Sequence, residues 1–251
     1  MTMADDILRV ESRGGVLILT LNRPEARNAL SQRLRDALVV ALTEADDARD
    51  VSAVVITGAD PAFCAGLDLK EISDTLPDLT SRWPEMTKPV IGAVNGAAIT
   101  GGLELALYCD ILIASDRASF ADTHTRVGLL PTWGMTVRLP QKVGVGMARR
   151  MSMTGSHLSA HDALRAGLVT EVVEHGALMS VAEQLASSIA ANNQPAVRAL
   201  LKSYRAIDQL QTGAGLWIEA RAAQRWIAGT SSASIAAGRD SAFRHSRAQQ
   251  H

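Results

Sequence analysis

Short apolar runs recur along the first two thirds of the chain, at 15–22, 54–57, 90–94, 111–114 and 168–173. Each is apolar and largely β-branched at nearly every position, which predicts strands buried on both faces rather than strands with one wet side. Between the first two runs, Leu34, Leu38, Val39 and Leu42 recur at helical intervals over 31–48. Ser31 precedes them, so its hydroxyl is the expected N-cap. Strand, helix, strand is an α/β order. After 173 the pattern turns helical, over 177–191, 195–210 and 215–228, with Pro195 suited to a first helical turn. The expected organisation is an α/β core over 1–190 and a helical region over 191–251. That helical region of roughly 60 residues is small for an independent domain, so it is expected to pack on the core or on a neighbouring subunit. The aperiodic stretch 74–84 reads as a loop.

Composition narrows the function classes. With 25 basic and 26 acidic residues in 251, the net charge is −1, which argues against binding nucleic acid or an anionic membrane through gross charge. Aromatic residues are only 4%, leaving few candidates for stacking on bases or sugars. Cys64 and Cys109 have neither metal-ligand spacing nor a disulfide framework. No signal-like N-terminus or apolar run of membrane-spanning length is evident, so a cytoplasmic protein is expected.

Two segments carry candidate chemistry. Phe63-Cys-Ala-Gly-Leu-Asp-Leu-Lys70 follows the strand ending at Thr57, and its small residues would let backbone N–H groups face a ligand. Asn95-Gly-Ala-Ala-Ile-Thr-Gly-Gly-Leu-Glu104 runs from a strand end through a glycine pair into a helix. The free N–H groups and positive dipole end of that helix suit a negatively charged oxygen. Each is also an ordinary strand-to-helix connection when taken alone, and Glu104 has an ordinary place in a first helical turn. Beside an oxyanion site, the same carboxylate is a candidate general base. Val143-Gly-Val-Gly-Met-Ala-Arg149 lacks the third glycine and the preceding strand of a dinucleotide fingerprint.

These segments occur in order with Leu21-Asn-Arg-Pro-Glu-Ala-Arg-Asn-Ala-Leu30, Lys88-Pro-Val-Ile-Gly-Ala-Val-Asn-Gly96, Cys109-Asp110, 158–169 and Ser241-Ala-Phe243. The set resembles the crotonase, or enoyl-CoA hydratase/isomerase, superfamily over essentially the whole chain. The resemblance implies a spiral of ββα turns followed by helices that support a homotrimer or a dimer of trimers. It implies an acyl-CoA thioester as substrate, with no metal or redox cofactor and with coenzyme A entering as part of the substrate. The amides of Ala65 and Gly101 are the implied oxyanion hole. Ala26, Arg27, Leu67, Asp68 and Leu69 are implied to wrap the pantetheine and adenine, and Phe243 to close over them.

Two departures bear on the reaction. Family hydratases pair the first glutamate, here Glu104, with a second about twenty residues later, and that position holds His124. A neutral imidazole can serve as a base near neutrality. If 122–126 were extended, Asp122, His124 and Arg126 would share a face, leaving Asp122 to orient the ring or act itself. Trp133 and Met135 stand where the family often carries small residues, which is expected to reshape or shorten the acyl pocket. The leading reading is an enoyl-CoA hydratase. The alternatives are an enoyl-CoA isomerase using Glu104 alone, thioester hydrolysis or another acyl-CoA reaction supported by His124 or Asp122, and a non-catalytic acyl-CoA binding protein.

Overall fold

The computed structural model describes residues 7–71 and 83–229. It begins with a hairpin, β1 (Leu8–Arg13) and β2 (Val16–Leu21), followed by α1 (Gln32–Asp47). The spiral comprises β3 (Ala53–Gly58), β4 (Ala62–Cys64), β5 (Val90–Val94), β6 (Ala97–Ile99), α2 (Gly101–Tyr108), β7 (Ile111–Ser115) and β8 (Ser119–Ala121). After α3 (Met135–Thr154) come β9 (His157–Ser159), α4 (Ala160–Arg165), β10 (Glu171–Val173), α5 (Leu178–Ala190) and α6 (Gln194–Gly229).

Every second strand of the spiral joins one sheet and the strand after it joins another. The large sheet runs β1-β2-β3-β5-β7-β10 and the small one β4-β6-β8-β9. All pairings in the large sheet are parallel except the β1–β2 hairpin. Strands β3 and β5 are buried at every position, as their unbroken apolar runs predict. One face of the large sheet packs against α5 through Val55, Ile91, Ile113 and Ala182, and the other faces Leu34, Leu38, Leu103 and Leu105.

The predicted cap is present, and contacts that the sequence did not predict join it. Ser31 caps α1, its hydroxyl accepting from Leu34 N–H at 3.2 Å. Lys88 is buried at the other end, donating to the carbonyls of Ala45 and Ala48 and so satisfying acceptors that the helix leaves open. The Arg27-Asn28 pair is left-handed (φ 51° and 56°), and the buried Asn28 amide donates to Ala59 O at 2.7 Å and Ala62 O at 2.6 Å. Asn95, just past the end of β5, grips the same β3–β4 turn, accepting from Gly58 N–H at 3.2 Å.

Elsewhere the structure corrects the pattern. The expected helices over 195–210 and 215–228 are one helix, α6, which continues through Gly213 and Gly215. Residues 143–149 lie in α3, which kinks at Gly144 (φ 77°), so they do not follow a strand as a dinucleotide loop would. The ring nitrogens of His175, a residue the sequence did not place, lie 3.1 Å from Ser115 Oγ and 3.0 Å from Asp60 Oδ2. Most of the expected 74–84 loop, Phe243 and the rest of the C-terminal tail lie outside the described residues. Among the described residues, no helix is long and apolar enough to cross a membrane.

Candidate active site

A pocket of about 80 Å³ opens between the segment that follows β4, the start of α2, and the 3-10 turn after β8 with the residues leading into α3. Ala65, Leu67, Leu69, Gly101, Glu104, His124 and Trp133 all line it. The chain thus brings together residues up to 68 positions apart (133 − 65). Thr100, Thr123, Val127, Leu129, Leu130 and Thr132 complete the wall and were not singled out in the sequence.

Ala65 is not the amide donor that the resemblance implies, because its N–H is spent on Arg27 O at 3.0 Å. Backbone alternation explains why the next candidate is Leu67. A parallel bridge to Leu30 uses Gly66 O and Asp68 N–H, at 2.7 and 3.2 Å, which turns the intervening Leu67 N–H to the opposite side. Neither Leu67 N–H nor Gly101 N–H donates a hydrogen bond among the described residues. They stand close together: a Cβ built on Gly101 would lie 3.4 Å from Leu67 N, and one on Gly66 would lie 3.3 Å from Gly101 N. Gly66 itself requires glycine, with φ 96° and a Cβ position only 2.9 Å from Ile99 O. Thr100, which leads into α2, is likewise left-handed (φ 56°), and its hydroxyl meets that of Thr123 at 2.6 Å.

Glu104 is 1% exposed. Its Oε1 accepts from the amides of Trp133 at 2.7 Å and Met135 at 3.3 Å, and its Oε2 lies 3.7 Å from His124 Nε2. Burial pushes its carboxyl up to about 7 against the opposing effects of His124 and the two amides. Residues 124–127 form a 3-10 turn, so the extended alternation expected over 122–126 is absent. Arg126 accordingly turns away to Thr154 O. Asp122 nevertheless reaches the ring by folding back: its Oδ1 lies 2.7 Å from His124 Nδ1 and accepts the His124 N–H at 3.2 Å. Burial opposes charge on both groups, but their mutual hydrogen bond and attraction prevail, lowering the Asp122 pKa and raising that of His124. Asp122 therefore stands behind the ring rather than in the pocket wall.

The residues implied to hold coenzyme A divide. Leu67 and Leu69 line the pocket, while Ala26 and the exposed Arg27 lie on the adjoining surface loop that Ala65 anchors. Asp68 has a structural duty instead. Its carboxylate receives Arg23 Nη2 at 2.9 Å and Lys70 N–H at 3.2 Å, and its own N–H is spent on Leu30. Trp133 forms a wall between Trp83, whose ring packs edge-on with centroids 5.5 Å apart, and the Arg35 guanidinium at 5.8 Å.

A further carboxylate, Glu219 of α6, reaches the same corner. It accepts from the amides of Gly134 and Thr136, each at 2.7 Å. A lone acid inside Gly215-Leu-Trp-Ile-Glu-Ala was the only signal for it in the sequence. Among the described residues, no group of His, Cys, Asp and Glu is arranged to hold a metal ion.

The family model described as enoyl-CoA hydratase/isomerase matches residues 11–241. The Arabidopsis thaliana protein named "Probable enoyl-CoA hydratase 1, peroxisomal" is 35% identical over 91% of this chain and 89% of its own length. The 2,3-dehydroadipyl-CoA hydratase of Escherichia coli is 38% identical over 83% of this chain and 86% of its own. A crystal structure of an enoyl-CoA hydratase from Mycobacterium avium superposes with a TM-score of 0.85 at 65% identity, covering 89% of this chain and 98% of that one. A spiral of two interleaved sheets, a buried glutamate at the start of a helix and a match running nearly end to end make this chain a member of the enoyl-CoA hydratase/isomerase family.

Proposed function

We propose that the protein is an enoyl-CoA hydratase, adding water reversibly across the 2,3-double bond of an acyl-CoA thioester. The observation that carries this reading is the 3.7 Å approach of Glu104 Oε2 to His124 Nε2 in the pocket wall, beside two unspent amides. Nδ1 carries its proton toward Asp122, so Nε2 of the neutral ring is an acceptor. Two acceptors this close can hold one water at roughly 2.8 Å from each.

The steps follow from that placement. The amides of Leu67 and Gly101 receive the thioester oxygen and stabilise the charge that develops there. Water oxygen bonds to C3 while the C2=C3 π electrons pass to the thioester oxygen as an enolate. The Glu104–His124 pair takes one water proton and returns a proton to C2 as the enolate collapses. Both groups have raised proton affinities, which suits a pair that gains and then releases one proton near neutrality. These steps need no resident cofactor. In this reading the surface loop of Ala26 and Arg27, anchored by Ala65 N–H, takes the coenzyme A end.

A homo-oligomer belongs to the same reading, as a trimer or a dimer of trimers. Helix α6 leaves Leu200, Tyr204, Ile207, Leu210, Trp217 and Ile218 exposed, more apolar surface than a solitary helix face ordinarily presents.

Crotonyl-CoA in ¹⁸O-labelled water tests the reaction. The expected result is a 3-hydroxyacyl product carrying the label, with activity lost in Glu104→Gln. Double-bond migration without label would favour isomerisation, free coenzyme A would favour thioester hydrolysis, and CoA-ester binding without turnover would favour a binding protein. Full activity in Glu104→Gln would remove the mechanism.

A further inference from the structure

We propose that Glu219 is a positioning residue for the reaction, holding from α6 the backbone segment 133–136 that orients Glu104. The four amides of this segment alternate between two buried carboxylates. Trp133 and Met135 donate to Glu104 Oε1, whereas Gly134 and Thr136 donate to the two oxygens of Glu219. The Thr136 hydroxyl adds a further bond to Glu219 Oε2. Each carboxylate thus fixes the amides that flank those used by the other. A shift of Glu219 must move the donors of Glu104, because the same four residues carry both sets.

The close approach needed for this contact has an independent cause one turn earlier on α6. A Cβ built on Gly215 would lie 3.0 Å from Val137 Cγ2, so the absent side chain lets α6 press against the start of α3. Glu219 is 5% exposed, and both of its carboxylate oxygens accept hydrogen bonds from the start of α3 and the residue before it. The charged and titratable groups facing it are Glu104 from α2, His124 from the 3-10 turn and Arg138 from α3. The negative charge of Glu219 adds to the upward push on Glu104 and His124, so it acts on the pair through both geometry and charge. The helix expected from the sequence to serve assembly therefore also reaches the reacting carboxylate.

This inference rests on Glu104 being the acid/base group of the proposed hydration, and two variants of the full-length protein test it. Glu219→Gln keeps the reach and removes the charge. Its acid limb of kcat against pH is expected to move to lower pH, with kcat down about tenfold and KM changed less than about twofold. Glu219→Asp keeps the charge but withdraws it by one methylene, so kcat is expected to fall about fivefold with the acid limb in place. If Glu219→Gln does not fold, the kcat of Glu219→Asp decides. Folded variants with the parent kcat and pH profile, or a loss confined to thermal stability or KM, would overturn the inference. Those outcomes combined with an inactive Glu104→Gln would leave the hydration reading standing, whereas an active Glu104→Gln would remove both.

Discussion

Nδ1 of His124 lies 2.7 Å from Oδ1 of Asp122, and the same oxygen accepts the His124 backbone N–H at 3.2 Å. One carboxylate therefore sets both the position of the residue and the tautomer of its ring. Asp122→Asn keeps the shape but can present an N–H to Nδ1, favouring the tautomer whose Nε2 carries the proton and cannot accept one. Steady-state kinetics with crotonyl-CoA should show kcat lowered about 10²–10³-fold with KM little changed. An equal loss in KM would assign Asp122 to substrate binding instead.

Glu104 makes stability fall with rising pH. Its carboxyl is raised from 4.5 to about 7, so the folded protein holds this proton more tightly than the unfolded chain does. The stabilisation is present below 4.5 and is lost as the pH climbs through about 7. His124, raised from 6.5, contributes with the same sign and loses its share as the pH passes its folded value. Chemical denaturation at about pH 5 and pH 8 should show that Glu104→Gln removes on the order of 2–3 kcal/mol of the decline. Identical pH slopes in the two proteins would contradict the burial of a titrating carboxyl.

Trp133 limits the pocket because its ring is wedged between Trp83 and Arg35 and is only 7% exposed. Trp133→Leu should raise kcat/KM for eight- to ten-carbon enoyl-CoA relative to crotonyl-CoA by about tenfold. Part of the cost should appear as lost stability of about 2–3 kcal/mol, since the smaller side chain leaves a partial cavity. An unchanged chain-length profile would place the acyl group elsewhere.

Gly66 joins backbone strain to the placement of the two amides. An alanine there would need φ 96° and would bring Cβ to 2.9 Å from Ile99 O and 3.3 Å from Gly101 N. Gly66→Ala should cost about 1–3 kcal/mol in denaturant unfolding and lower kcat by at least about tenfold, because the crowded atoms adjoin the proposed oxyanion donors. A destabilised variant with the parent kcat would argue against Leu67 and Gly101 as those donors.

By itself, the sequence determined what local chemistry and hydrophobic period can determine. The Ser31 cap, the buried runs of β3 and β5, and the glycine pair opening α2 depend on neighbours within a few residues. Motif order carried the family and nominated Glu104 and His124, which the pocket brings together. Tertiary structure decided what depends on direction and on distant partners. Ala65 and Leu67 are two residues apart, yet only the bridge to Leu30 and the contact with Arg27 settle which amide is spent. Asp122 reaches His124 through a 3-10 turn that no alternation rule anticipates, and Glu219 meets the site from 115 positions beyond Glu104 (219 − 104). Periodicity reports which face of an element is buried, whereas hydrogen-bond partnership depends on where the chain returns after many residues, and that is set by packing of the whole fold.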